Sequence, residues 1–201
     1  MTERPIIFSA PMVRAILAGT KTQTRRAVKL KPWHQIEQRD DGTLWPWMYD
    51  DDRASDHWVP CPHGQPGDRL WVREAHMDLG ACCLYRADAN AEQERALAAP
   101  GQRWRSSIHM PRWASRITLD ITGVRVERLQ DISEGDAEAE GASEAPMPMA
   151  TMYSQAAVLR SRYREGYADL WESLHGPGSW DANPWVWVVE FKRITQKDPH
   201  S

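Results

Sequence analysis

The chain has 201 residues and a formal net charge of −3. That length is enough for one domain with a real hydrophobic core, and the small negative charge excludes a global field that would draw in nucleic acid, leaving local patches to do so. No apolar run is long enough to span a membrane, the polar start Met1-Thr2-Glu3-Arg4 shows no signal peptide, and three cysteines, two of them adjacent at Cys82 and Cys83, argue against a disulfide framework and for a reducing cytoplasm.

In chain order, Ile6-Ile7-Phe8 is the first strand candidate. The apolar stretch Pro11 to Ala18 predicts a helix over about Met12 to Ala18. Gly19 then stands where a helix C-terminal glycine belongs. Lys21 falls in the loop that follows, and Thr22 to Val28 predicts a strand. Strand side chains alternate faces, so Thr24 and Arg26 share one face and Lys21 can curl over it. Read from spacing alone, lysine and arginine after a helix are usually solvated charges near a helix C-terminus. The other reading is a pocket: an amine beside a hydroxyl activates a weak nucleophile when the amine is desolvated and its pKa lowered.

Residues 31 to 66 are polar, carry Trp33, Trp45, Trp47 and Trp58, and lack clear periodicity. They read as a long insertion or hairpin lid. Gly67-Asp68 is a turn into a strand in which Leu70 and Val72 face one side and Trp71 and Arg73 the other. Leu84 to Ala87 is a further strand, and 89 to 105 a loop or short helix. Arg116 to Leu129 alternates apolar and polar positions and is the clearest strand of the chain. Ser133 caps a helix with acids in its first turn, ended by Gly141. Residues 142 to 154 read as a loop. Residues 156 to 175 form the longest helix, with Tyr163, Tyr167, Leu170, Trp171 and Leu174 on one face. Trp185 to Phe191 is a final buried strand, before a polar tail. Several short strands with two or three peripheral helices indicate an α+β chain built on a small β-barrel.

Two compositional features bear on ligands. Only five of 25 basic residues are lysine, and arginine binds phosphate bidentately and stacks on bases. Eleven tryptophans stand against two phenylalanines. Tryptophan offers stacking faces for nucleobases, but most of these read as core or loop-covering residues. His57, Cys61 and His63 cluster, yet they lack the spacing of a structural zinc site, so no metal is expected.

Three blocks make the chain resemble the ASCH domain family, a branch of the PUA-like β-barrels. These are Gly19-x-Lys21-x-x-Thr24-x-Arg26, then Gly67-Asp68 before a strand, then Val124 to Gly141 with the closing strand Trp187 to Phe191. The resemblance implies a single domain over 1–195 with insertions at about 31–66 and 89–112, and a tail at 196–201. The ends, Ser-Ala-Pro-Met-Val and Trp-Asp-Ala-Asn-Pro-Trp-Val-Trp, look like long family members encoded in phages and prophages. Small bacterial members are amidohydrolases that deacetylate N4-acetylcytidine with a Lys, a Thr three residues later and a Glu. Carried over, these are Lys21, Thr24 and Glu140, with Glu138 and Glu74 as rival acids.

The reaction so implied is cofactor-free amide hydrolysis. Lys21 takes the proton of Thr24, whose Oγ attacks the acetyl carbonyl, and Glu140 shuttles a proton to the leaving cytosine N4. Alternatively Lys21 stays protonated as an electrophile and Glu140 is the base. Arg26, Trp71, Glu74, His109, Arg112 and Trp113, with Tyr85, are the candidates for gripping the nucleoside. The competing functions are an RNA-binding module, disfavoured by the net charge, and a phage accessory protein without catalysis. No membrane and no obligate protein partner is expected.

Overall fold

A computed structural model describes residues 1–50, 55–80, 82–90, 103–145 and 162–194. The expectations for 91–102, 146–161 and the tail lie outside these. The described residues are a mixture of strands and a few helices, with no closed barrel among them. No described helix is long and apolar enough to cross a membrane. The chain forms two compact units, each assembled from separate segments.

The first unit comprises Met1–Gly19, Pro62–Gly123 and the chain from Phe191 onward. Strand β1 (Glu3–Ile7) leads into helix α1 (Ala10–Ala18), which buries Val13 and Ile16 and ends at Gly19 with φ 79°, a left-handed value that favours glycine. Strand β6 (Arg69–Arg73) lies between β1, to which it is parallel, and β9 (Thr118–Arg128), to which it is antiparallel. Leu70 and Val72 are buried while Trp71 and Arg73 are not, the alternation expected from sequence. The Gly67-Asp68 turn has a physical basis. The Asp68 carboxylate accepts the Thr2 N–H at 2.7 Å and the Gln65 N–H at 3.3 Å, tying the loop to the chain start. A short pair, β7 (His76–Asp78) with β8 (Cys83–Tyr85), completes this unit.

The second unit comprises Thr20–Cys61 and Val124–Glu190. Here β10 (Trp185–Arg193) lies between β9 and β2 (Gln23–Ala27), with Val189 opposite Thr24 and Val188 opposite Arg25. The segment read as a long insertion or hairpin lid is an antiparallel meander of β3 (Gln35–Gln38), β4 (Leu44–Asp50) and β5 (Ser55–Trp58). Its strands are four to seven residues long, too short to display a period in the sequence. Trp45 anchors the meander: its ring meets that of Trp187 edge-on at 4.9 Å and its indole N–H donates to Val59 O.

Helix α2 (Glu134–Ala139) starts at Ser133, whose side chain accepts the Asp136 N–H. Helix α3 (Tyr163–His175) follows Arg162, whose ψ of 28° is not helical; the expected start at 156 lies outside the described residues. Tyr167 and Trp171 are its core residues, packed with Leu129, Ile132, Val186 and Val188. Leu174, expected on the same face, is half exposed. Gly166 on α3 touches the chain at Ser143: an added Cβ would overlap the Ser143 carbonyl oxygen. Gly166→Ala is therefore expected to destabilise by about 1–3 kcal/mol in urea denaturation, even though alanine is the better helix former by about 1 kcal/mol.

Candidate functional site

Lys21 lies in the loop between Gly19 and β2, and its side chain is fully buried. Its Nζ donates to three oxygens: Gln23 O at 2.9 Å, Glu140 O at 2.7 Å and Glu140 Oε2 at 2.8 Å. The interaction with a helix C-terminus is real, but the helix is α2 rather than α1, and the charge is buried rather than solvated. Backbone geometry delivers Glu140 to it. Glu140 is the C-terminal cap of α2, Gly141 follows with φ 75°, and the Thr22 N–H bonds to Ala139 O at 2.8 Å.

The Glu140 carboxylate, 3% exposed, is shared between two cations. Its Oε2 takes Lys21 and its Oε1 takes Arg25 Nη1 at 3.2 Å. Arg25 is itself 1% exposed and reaches two more carboxylates. Glu127 on β9 accepts from its Nε at 3.1 Å and its Nη2 at 2.5 Å, and Asp136 Oδ2 lies 3.4 Å from Nη2. Arg125, on the same strand face as Glu127, holds Glu127, Asp136 and Glu190 from outside. Gln23 adds two bonds to Asp136.

The β-strand alternation thus separates two sets. Gln23 and Arg25 face the carboxylates, while Thr24 and Arg26 occupy the other register positions of β2. Thr24 is 1% exposed and follows directly on Gln23, whose carbonyl accepts from Lys21. Arg25 is the buried hub. The signal that could have identified it is the supply of acids at Glu127, Asp136 and Glu140, against Lys21 in the loop and Arg25 at the centre of the five-residue strand β2.

Burial pushes the Lys21 ammonium below its ordinary range, the adjacent Glu140 carboxylate acts in the opposite direction, and the Arg26 and Arg25 cations add to the lowering. Burial likewise lowers Arg26, against the pull of Glu140, and raises the Tyr167 phenol. Asp136 would be raised by burial, but its bond from Gln23 and the Arg125 and Arg25 cations hold it below the usual carboxylate range. The sign for Lys21 is definite. Its folded value lies below the ordinary 10.5, so between the two the unfolded chain binds more protons and stability rises with pH. The wild type should gain stability relative to Lys21→Met as pH approaches 10.5 from below, read as urea midpoints at matched salt.

Apart from Glu138, the remaining sequence candidates lie in the first unit. Glu74, 1% exposed, is engaged by Arg116 through two bonds of 2.9 and 3.2 Å. Arg116 also grips Asp88 at 2.5 and 3.0 Å and stacks on the Tyr85 ring at 3.9 Å. Burial raises the Glu74 carboxyl, with Arg116 opposing. Trp71 lies beneath the guanidinium groups of Arg73 and Arg112, and Arg112 pairs with Glu3. His109 and Trp113 are exposed, Trp113 at 66%. Glu138 is exposed on α2. Among the described residues no group of three His, Cys, Asp or Glu could hold a metal ion. No family model, curated protein or solved structure matches the chain.

Proposed function

We propose that this chain is a metal-independent amidohydrolase of the ASCH type, on a PUA-like scaffold, that removes the acyl group from N4-acetylcytidine or a related modified nucleoside. The observation that carries this reading is the buried Lys21–Glu140 pair, 2.8 Å apart, whose lysine also bonds to the carbonyl of Gln23, the residue before Thr24 on β2. A buried amine with a lowered pKa beside a carboxylate is a proton relay suited to a hydroxyl nucleophile.

The proposed steps begin at the Lys21–Glu140 hydrogen bond. With all three Nζ protons donated to oxygen, Lys21 first passes one to Glu140 Oε2, and the neutral amine then accepts the Thr24 hydroxyl proton. Thr24 Oγ bonds to the acyl carbon. The tetrahedral adduct collapses with cleavage of the carbon–N4 bond, and Glu140 returns its proton to N4. Water hydrolyses the threonine ester, releasing acetate and restoring the hydroxyl. Arg26 and backbone N–H groups are the oxyanion donors of this scheme. Conversion of N4-acetylcytidine to cytidine by the purified chain, followed by chromatography, tests it. A folded protein that leaves the substrate intact, and leaves other N4-acylcytidines intact as well, overturns it.

A second reading, RNA binding, is favoured by Trp71 under two guanidinium groups, with the exposed Trp113 adjoining one of them, Arg112, in sequence. Aromatic faces flanked by arginine stack bases. A gel shift with single-stranded RNA that weakens as salt rises and is lost in Trp71→Ala supports it.

A further inference from the structure

We propose that Arg25 is the positioning residue of this site: its fork holds Glu127, Asp136 and Glu140 together and thereby fixes the Glu140 carboxylate at the Lys21 amine. The inference rests on the hydrolase reading for its catalytic consequence, while the geometry is independent of it. Glu140 Oε1 faces Arg25 at 3.2 Å while Oε2 faces Lys21 at 2.8 Å, so the two cations set the plane of the carboxylate between them. The other side of the guanidinium is pinned by Glu127 through Nε and Nη2. A planar fork bound on two edges has little freedom to rotate. Lysine at this position would supply the charge but not the fork.

Arg25 also divides the negative charge that Lys21 experiences. The charged groups facing Lys21 are Glu140 from the end of α2 and Arg26 and Arg25 from β2. Tyr167 from α3 faces Glu140, Arg25 and Arg26. Removing Arg25 leaves Lys21 as the cation hydrogen-bonded to the Glu140 carboxylate, with Arg26 still in its field, and takes away a repulsive neighbour of the amine. Both changes favour the protonated amine. Arg125 serves as the comparison, because it binds Glu127, Asp136 and Glu190 but makes no bond to Glu140.

The test uses the full chain labelled with ¹³C-lysine. The five lysines make the Lys21 side-chain resonance identifiable by its loss in Lys21→Arg. The expected result is that Arg25→Gln moves the Lys21 titration midpoint upward and Arg125→Gln stays with the wild type, while Arg25→Lys, which keeps the charge and loses the fork, keeps the midpoint but shares the kcat loss of Arg25→Gln. In the deacylation assay, Arg25→Gln lowers kcat on the order of 10²-fold with KM held, as displacement of a catalytic group by about 1 Å does. If Arg25→Gln does not fold, Arg25→Leu/Glu127→Leu, which removes the guanidinium with its closest carboxylate, takes its place in the titration. An unmoved Lys21 midpoint in the folded variant overturns the proposal, as does an equal shift in Arg125→Gln. A wild type inactive on N4-acylcytidines defeats the hydrolase reading alone, since the titration still decides whether Arg25 governs the Lys21–Glu140 pair.

Discussion

Thr24→Val is expected to abolish deacylation of N4-acetylcytidine while leaving the fold intact. The substitution removes one hydroxyl and keeps the β-branched shape that a strand position favours. Thr24 is buried opposite Val189, so a methyl in place of the hydroxyl meets an apolar neighbour. In the proposed scheme the lost oxygen is the nucleophile, and no other step compensates. Turnover should fall by roughly 10³-fold or more, whereas Thr24→Ser retains an Oγ and keeps measurable activity. Lys21→Met should be equally inactive, and the double variant no worse than either single one, because the two groups act as a unit. Full activity in Thr24→Val would remove the acyl-enzyme from consideration.

Glu140→Ala carries the largest expected loss of stability. The pair it breaks is 0% and 3% exposed. Taking the carboxylate away leaves Lys21 without its counter-charge and Arg25 with one partner fewer. Breaking a buried pair from one side costs about 3–5 kcal/mol, whereas replacing both partners with apolar groups is often close to neutral. Lys21→Met/Glu140→Leu should therefore recover most of that loss, since Arg25 keeps Glu127 and Asp136. A double-mutant cycle in urea or guanidinium chloride measures the coupling. A loss below about 1 kcal/mol for Glu140→Ala is the size expected of a solvated surface pair and would contradict the burial.

The comparison of sequence with structure divides along physical lines. Local periodicity and punctuation were readable. The alternation of Leu70 and Val72 with Trp71 and Arg73, the glycine stop at Gly19 and the serine cap at Ser133 each depend on neighbours a few residues away. The meander β3–β4–β5 was not readable, because its strands are short and its main anchor, Trp45 on Trp187, joins residues far apart in the chain. The exposure of Leu174 was missed for a similar reason. Helical spacing assigns a face, but the partner surface determines how wide the buried stripe is.

At the site, the sequence by itself determined the local chemistry: an amine in a loop, a hydroxyl three residues on, and alternating positions along a strand. Tertiary structure alone decided which of those groups are dry and what they touch. Lys21 and Glu140 are separated by 119 positions and Arg25 and Glu127 by 102, so no window of sequence contains either pair. Arg25 is the buried member of its doublet because its strand face meets the acids of β9 and α2. Desolvation, which lowers Lys21 and gives the pair its expected energetic weight, comes from the packing of distant segments and so exists only in the folded chain.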